Sequence, residues 1–136
     1  MLEITRDIVL EDAPATVSIG GRRYYAYLPG GYLWQLVEAY FYMDTGQTAG
    51  GANCWLWKLY RGSDDTVMAT VSGGSALIQY NAMTLSTTAG DLICDASPTN
   101  PAVFYAACVN SGAGQAMAEG MRICTRWKAV KPGVGA

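Results

Sequence analysis

The sequence predicts an all-β fold, an antiparallel sandwich or barrel of about eight or nine short strands. Three observations predict it. Apolar and polar residues alternate with a period of two in several runs, most cleanly in 54–60 and 121–129. Turn formers punctuate the chain at Gly20-Gly21, Pro29-Gly30-Gly31, Ser63-Asp64-Asp65 and Ser72-Gly73-Gly74. The runs between them are rich in Tyr, Trp, Val and Thr, which suit a pleated, half-buried surface. Such strands donate alternate side chains to one shared core about 10 Å thick.

The first strong signal is ATVSIGGRRYYAYL, residues 15–28. Ala15, Val17 and Ile19 alternate with Thr16 and Ser18, and Gly20-Gly21 supplies the positive φ angles of a two-residue hairpin turn. Arg22 to Leu28 returns as the partner strand. Residues 33–43 fit two patterns. Leu33, Leu36, Val37, Tyr40 and Phe41 make a helical stripe, whereas Leu33, Val37, Ala39, Phe41 and Met43 make one strand face with Gln35 as the exception. Aromatic composition and the lack of an N-cap favour the strand. In NCWLWKLYR, Trp55, Trp57 and Leu59 point one way, and Cys54, Leu56, Lys58 and Tyr60 the other.

Residues 44–53 then form an exposed loop, and RGSDD a tight turn. Thr66 to Val71 alternates again, with Val67, Ala69 and Val71 against Thr66, Met68 and Thr70. Short strands are expected at 76–80 and, after Gly90-Asp91, at 92–96; another runs from Val103 to Val109. The glycines of NSGAGQAMAEGM argue for a loop. In the last strand Met121, Ile123, Trp127 and Ala129 alternate with Arg122, Cys124, Arg126 and Lys128. The expected organisation is an N-terminal arm at 1–14, one sandwich domain at 15–130 and a tail at 131–136.

The bulk numbers narrow the function. A chain of 136 residues is most simply one domain and holds a real core without staples. Only 15% of residues are charged, against a usual value of about 25%, so part of the surface is small and polar or covered by a partner. Net charge is -2 with scattered cations, which argues against nucleic acid as a partner. No apolar run approaches the roughly 18 residues of a membrane span. MLEITRDIVLEDAP lacks the basic start and unbroken apolar core of a secretory leader, so synthesis in the cytoplasm is expected. Cys54, Cys94, Cys108 and Cys124 form no CxxC and the chain has no histidine, so a zinc site would need four thiolates from four segments. Small buried hydrophobes are the better reading, with two disulfides as the alternative.

The missing histidine also removes Ser-His-Asp and Cys-His hydrolases. GGSA at 73–76 is a turn, not a phosphate cradle. Paired acids could run a glycosidase, and the candidates are Glu38, Asp44, Asp64, Asp65, Asp91, Asp95 and Glu119. Asp64, Asp65 and Asp91 are explained by turn chemistry and lack calcium-ligand spacing. Glu38 lies among apolar residues and is expected to face solvent or an ion partner. No catalytic residue, metal or cofactor is assigned, and the chain is expected not to be an enzyme.

The aromatics are more telling. Tyr24, Tyr25, Tyr27, Tyr32 and Trp34 cluster in one segment. Tyr24 and Tyr25 face opposite sides of a strand, so the segment is aromatic on both faces and belongs in a deep core or at a subunit contact; these five are the candidate interface. Trp55, Trp57 and Trp127 are expected to fill the core, the alternative being exposed rings for sugar stacking. Asp44, Gln47 and Asn53 mark a candidate ligand loop.

The order of features from 37 to 130 carries a resemblance. VEAYFYMDTGQTAGGANCWLWKLYRGSDDTVMATVS leads a long strand into Asp-Thr-Gly, then through a small-residue loop to an alternating strand that ends in Arg-Gly. AGDLICDAS opens a strand at Gly-Asp, and GMRICTRWKAV closes with Gly-Met-x-Ile. This resembles small jelly-roll virion proteins of tailed phages, such as capsid decoration or cement proteins and tail accessory modules. The resemblance implies an eight-stranded jelly-roll sandwich displayed in many copies on a virion, and carries no site residues over. A non-enzymatic structural subunit follows from it: a homo-oligomer, trimer favoured, bound to a major capsid or tail protein, with the arm and tail reaching neighbours. The alternative is a receptor- or glycan-binding tail module that uses exposed Trp or Tyr and the 44–53 loop.

Overall fold

Alternation becomes strand wherever both neighbours can supply backbone partners. The computed structural model describes residues 2–10, 22–96, 101–111 and 119–132. In chain order the strands are β1 (Glu3–Val9), β2 (Tyr24–Leu28), β3 (Tyr32–Tyr42), β4 (Cys54–Arg61), β5 (Val67–Ser72), β6 (Tyr80–Ala82), β7 (Thr84–Leu85), β8 (Ile93–Asp95), β9 (Ala102–Ser111) and β10 (Arg122–Pro132), with a 3-10 turn at Ala89–Leu92. The expected hairpin partner at 15–19 and its Gly20-Gly21 turn lie outside the described residues.

All pairings are antiparallel and make two sheets. One runs β1-β10-β3-β6, with β8 also on β3; the other runs β2-β9-β4-β5-β7. β6 pairs with the 40–42 end of β3 and β8 with its 33–35 end, so together they act as one interrupted strand. Counted that way, and with β7 as an excursion, the pairs β1–β10, β2–β9, β3–β6/β8 and β4–β5 are nested. The chain is therefore one long antiparallel hairpin rolled up so that β10 meets β3 and β9 meets β4. That is the strand order of a jelly roll.

The core lies between the sheets. Trp34, Trp55, Trp57 and Trp127 are each 0% exposed. Phe41 of β3 packs on Trp55 and Trp57 of β4 across the gap, with ring centroids 5.2 and 6.5 Å apart, and Trp127 of β10 meets Phe104 of β9 at 4.9 Å. Thr125 is buried among them. Its hydroxyl donates to the Arg6 carbonyl at 2.7 Å and accepts the Trp127 indole N–H at 2.7 Å, so the one polar chain between β10 and β1 is satisfied throughout.

Several expectations are corrected. Residues 3–9 are not a free arm but edge strand β1 on β10, because Ile8 and Leu10 are needed over the core. In β3 and the residue after it the buried set is Trp34, Leu36, Ala39, Phe41 and Met43. Arg126 faces Glu38 while Trp127 faces Leu36, so Val37 is an extra residue that inverts the alternation behind it. A second bulge at Met68 lets Met68 and Ala69 both point inward. The 76–80 segment forms only a bridge between Leu77 and Gln47, and the strand begins at Tyr80. Residues 89–92 close a 3-10 turn ahead of β8. Lys131 and Pro132, expected in the tail, extend β10.

Two outcomes test this packing. Thr125→Val strips Trp127 of its acceptor and the Arg6 carbonyl of its donor, and should cost about 2–4 kcal/mol in urea unfolding, with Thr125→Ser costing about half of that or less. Deleting residues 1–10 should abolish the cooperative near-ultraviolet melting transition, whereas loss of a free arm would leave it in place.

Candidate functional site

Strands β2, β9, β4 and β5 lie side by side, so their outward residues line up in rows. Tyr25 faces Tyr105, which faces Tyr60; Tyr27 faces Val103; Lys58 sits between Ala107 and Thr70; Leu56 sits between Val109 and Ser72. The tyrosine row is a continuous aromatic ladder. Tyr25 and Tyr105 have centroids 5.4 Å apart, and Tyr105 stacks on Tyr60 at 4.9 Å with planes 15° apart. The Arg23 guanidinium lies 4.6 Å from the Tyr105 ring centroid.

The middle ring of the ladder is pinned by Asp65. The Tyr105 hydroxyl donates to Asp65 Oδ1 at 2.7 Å, and Arg23 approaches the same oxygen at 3.9 Å. Asp65 has a φ of 59°, a left-handed position that Asp tolerates better than most residues and that the tight 62–64 turn imposes. Tyr105 is only 3% exposed although it faces outward, because the side chains around it cover its ring. Burial, and then the bond to Asp65, push its hydroxyl up to about 12. Tyr25, Tyr27 and Val109 stay exposed at 51%, 57% and 47%. Beside the ladder lies a shallow depression of about 310 Å³ with Ala107 and Val109 in its lining.

The outer face of the other sheet combines ion pairs with a second tyrosine cluster, Tyr40–Tyr42–Tyr80, at 6.4 and 6.1 Å. Arg126 of β10 pairs with Glu38 of β3 at 3.1 Å and with Glu3 of β1 at 3.2 Å. The hydrogen bond from Arg126 holds the Glu38 carboxyl below its usual range, so this acid is an ion-pair member on an exposed sheet face. Arg122 lies over the Tyr42 ring at 5.4 Å.

The candidate interface residues separate. Tyr25 and Tyr27 join the outward face. Tyr24 turns inward and packs on Trp57 at 5.9 Å. Tyr32 sits at the sandwich end against Trp34 at 5.3 Å. Trp34 leaves the set: it is wholly buried and its indole N–H donates to the Pro29 carbonyl at 2.9 Å. The candidate ligand loop does not gather. The Asp44 carboxylate lies against Gly120, whose φ of 69° and close approach leave no room for a Cβ. Gln47 is half-buried in the bridge to Leu77, and Asn53 is exposed where the loop enters β4. The loop backbone is tied to 73–79 by bonds such as Gln47 N–H to the Leu77 carbonyl at 2.8 Å and Gly50 N–H to the Gly73 carbonyl at 2.8 Å.

Other reactive groups have structural partners. Arg61 uses all five of its N–H donors: bidentate to Asp64, to the Gly90 and Ile93 carbonyls, and to the Thr66 hydroxyl. This pairing, with the Thr66 bonds, holds Asp64 well below the ordinary carboxylate range. Asp91 accepts from the Ser86 hydroxyl at 2.6 Å. All four thiols are free, and burial raises Cys94 to about 12 and Cys108 and Cys124 to about 11, which keeps them protonated. Among the described residues, no group of three or more His, Cys, Asp or Glu is placed to hold a metal.

Tyr60, Tyr105, Arg23, Leu56 and Val109 complete the outward face but were not picked out as site residues by the sequence. The alternation of β4 put Tyr60 and Leu56 on one side; β9 is apolar on both faces and offers no such signal. No family model matches the chain, and no curated protein matches it.

The Tyr105–Asp65 bond has a pH consequence. The folded state raises the Tyr105 pKa, so the bond stabilises fully below the free phenol value near 10 and is lost as pH rises towards about 12. Stability measured by denaturant titration should fall across that window, and Tyr105→Phe should flatten the fall while lowering stability at neutral pH.

Proposed function

We propose that the chain is a non-enzymatic structural subunit of a tailed-phage virion, an auxiliary capsid protein of the decoration or cement type. The observation that carries this is the ordered aromatic ladder on one outer face, around which Tyr25, Tyr27 and Val109 stay exposed. The other sheet adds a second cluster of Tyr40, Tyr42 and Tyr80 beside the Arg126–Glu38–Glu3 ion pairs, so both faces offer aromatic contact area. Rigid tyrosines on a sheet face supply large contact area at low entropic cost, which suits docking to protein. The chain would act as a homo-oligomer, trimer favoured, on a major capsid or tail protein, where many weak contacts add by avidity.

The acids and thiols support a non-enzymatic reading, since Glu38, Asp64, Asp65 and Asp91 have structural partners and burial holds Cys94, Cys108 and Cys124 as thiols. The phage setting comes from the resemblance over residues 37–130. The glycan-binding alternative loses Trp55 and Trp57, which are wholly buried, and would rest on the exposed tyrosines alone.

Quantitative mass spectrometry of purified virions from the source phage tests the reading. On the order of hundreds of copies per particle is expected for a lattice component. A dozen or so would move the subunit to the tail or a vertex, and absence from the particle would overturn the proposal.

A further inference from the structure

A well lies on the outer face of β1, β10 and β3, and the strand register explains it. Cys124 of β10 stands opposite Asp7 of β1 on one side and Tyr40 of β3 on the other. Arg122 and Arg126 precede and follow it on the same face of β10. The central position thus carries a short thiol, and its neighbours on all four sides reach further. Strands about 4.8 Å apart, with a rise of about 3.4 Å per residue, set those neighbours roughly 10 Å apart across the sheet and roughly 14 Å apart along it. The result is an open depression of about 290 Å³ over Cys124, with Thr5, Glu38 and Tyr42 also in its lining. That is the small end of the roughly 300–1,000 Å³ of ligand sites, so it admits one or two small rings rather than a segment of protein.

The chemistry of the rim narrows the occupant. The Tyr40 and Tyr42 rings form one wall, 6.4 Å apart, and among the described residues neither phenol hydroxyl has a hydrogen-bond partner. Arg126 directs Nε and one terminal nitrogen to Glu38 and the other terminal nitrogen to Glu3, which leaves an N–H on each terminal nitrogen. Asp7 accepts from the Cys124 thiol, and Arg122 lies over the Tyr42 ring. Three carboxylates and two guanidiniums therefore surround the well. An anion would meet the carboxylates and a cation the guanidiniums, whereas a neutral polyol meets neither penalty. Each of its hydroxyls both donates and accepts, so it can join the Asp7 carboxylate to the spare Arg126 N–H groups without breaking an ion pair. The C–H face of a pyranose ring suits the negative face of an aromatic ring. We propose that this well is a saccharide site, in which one neutral pyranose lies against Tyr40 and shares its hydroxyls between Asp7 and Arg126. The inference goes beyond the virion reading and does not depend on it.

Proton–nitrogen correlation NMR of the isotope-labelled full chain tests it. The probes are methyl glucoside, methyl galactoside, methyl mannoside, N-acetylglucosamine, maltose and lactose, each titrated to about 50 mM. At least one should shift the amides around Asp7, Cys124 and Tyr40, with a dissociation constant of about 0.1–10 mM. Tyr40→Ala should weaken binding about tenfold or more, and Cys124→Phe, which fills the well, should abolish it. Tyr25→Ala on the opposite sheet should leave it unchanged. Amide spectra that match the parent away from the substitution establish that each variant is folded, and the mapping on the unsubstituted chain stands whatever the variants do. No shift with any probe, shifts that map elsewhere, or binding that survives in both folded well variants overturns the inference. Sialic acid or free lysine bound at the well while every neutral sugar is inert overturns it as well. Copy number on virions bears on none of these results, so the two proposals fail separately.

Discussion

Aromatic packing across the gap between the sheets is the constraint on which the rest depends. Sheets packed face to face stand about 10 Å apart, and side chains from both must fill that layer. Here Phe41 enters between Trp55 and Trp57, and Trp127 closes on Phe104, so each sheet is keyed to the other by rings of the opposite one. Each such pair adds about 0.5–1.5 kcal/mol beyond the area it buries. Polar handles are subordinate to this fit. Trp34 and Trp127 find acceptors, but the Trp57 N–H is buried with none among the described residues. An orphan donor costs about 1–3 kcal/mol, which the burial of a whole indole offsets. With all four indoles drawn inside, the aromatic rings left for the surface are tyrosines, whose hydroxyls tolerate water.

A rolled hairpin leaves two open flanks where its sheets diverge; a side chain closes one and backbone hydrogen bonds close the other. On one side the Arg6 Nε of β1 donates across to the Tyr27 carbonyl of β2 at 3.0 Å. On the other, the chain from β6 to β7 crosses between sheets, with Met83 N–H bonded to the Ala39 carbonyl and Ser86 N–H to the Met68 carbonyl, both at 2.8 Å. At one end of the sandwich Arg61 ties the β4–β5 turn to the 3-10 turn and β8. An arginine suits that place because its planar fork satisfies several acceptors at once, and its fixed charge has a carboxylate opposite it at 2.9 Å.

Fold class was legible because it rests on local patterns. The alternation in β4 and β10 and the glycine-rich turns each report on a few adjacent residues, and both strands bury the sides they predict. What failed was non-local. The Val37 bulge exists because β3 must keep both Phe41 and Trp34 inward while pairing with β10, and no window of β3 alone contains that demand. Trp34 looked like an interface residue beside four tyrosines for the same reason. β1 is polar enough to pass for an arm, since only its inner side meets the core. The tyrosine ladder was hidden more deeply, because its three members come from three segments and meet only through the register of β9.

That ladder also bears on how a β-sandwich associates at all. Sheets can join through edges, where unpaired backbone groups recruit another strand, or through faces. Among the described residues the sheet edges are poor recruiters. β1 carries outward Glu3 and Asp7 with Arg6 between them, β7 is two residues long, and β6 and β8 are three each. The Tyr27 carbonyl of edge strand β2 is already taken by Arg6. Edge pairing is indifferent to side chains and has no natural end, whereas a face reads shape and charge and closes after one partner. Where the edges are guarded, a neighbouring molecule meets side-chain faces rather than backbone, and both outer faces here carry tyrosines.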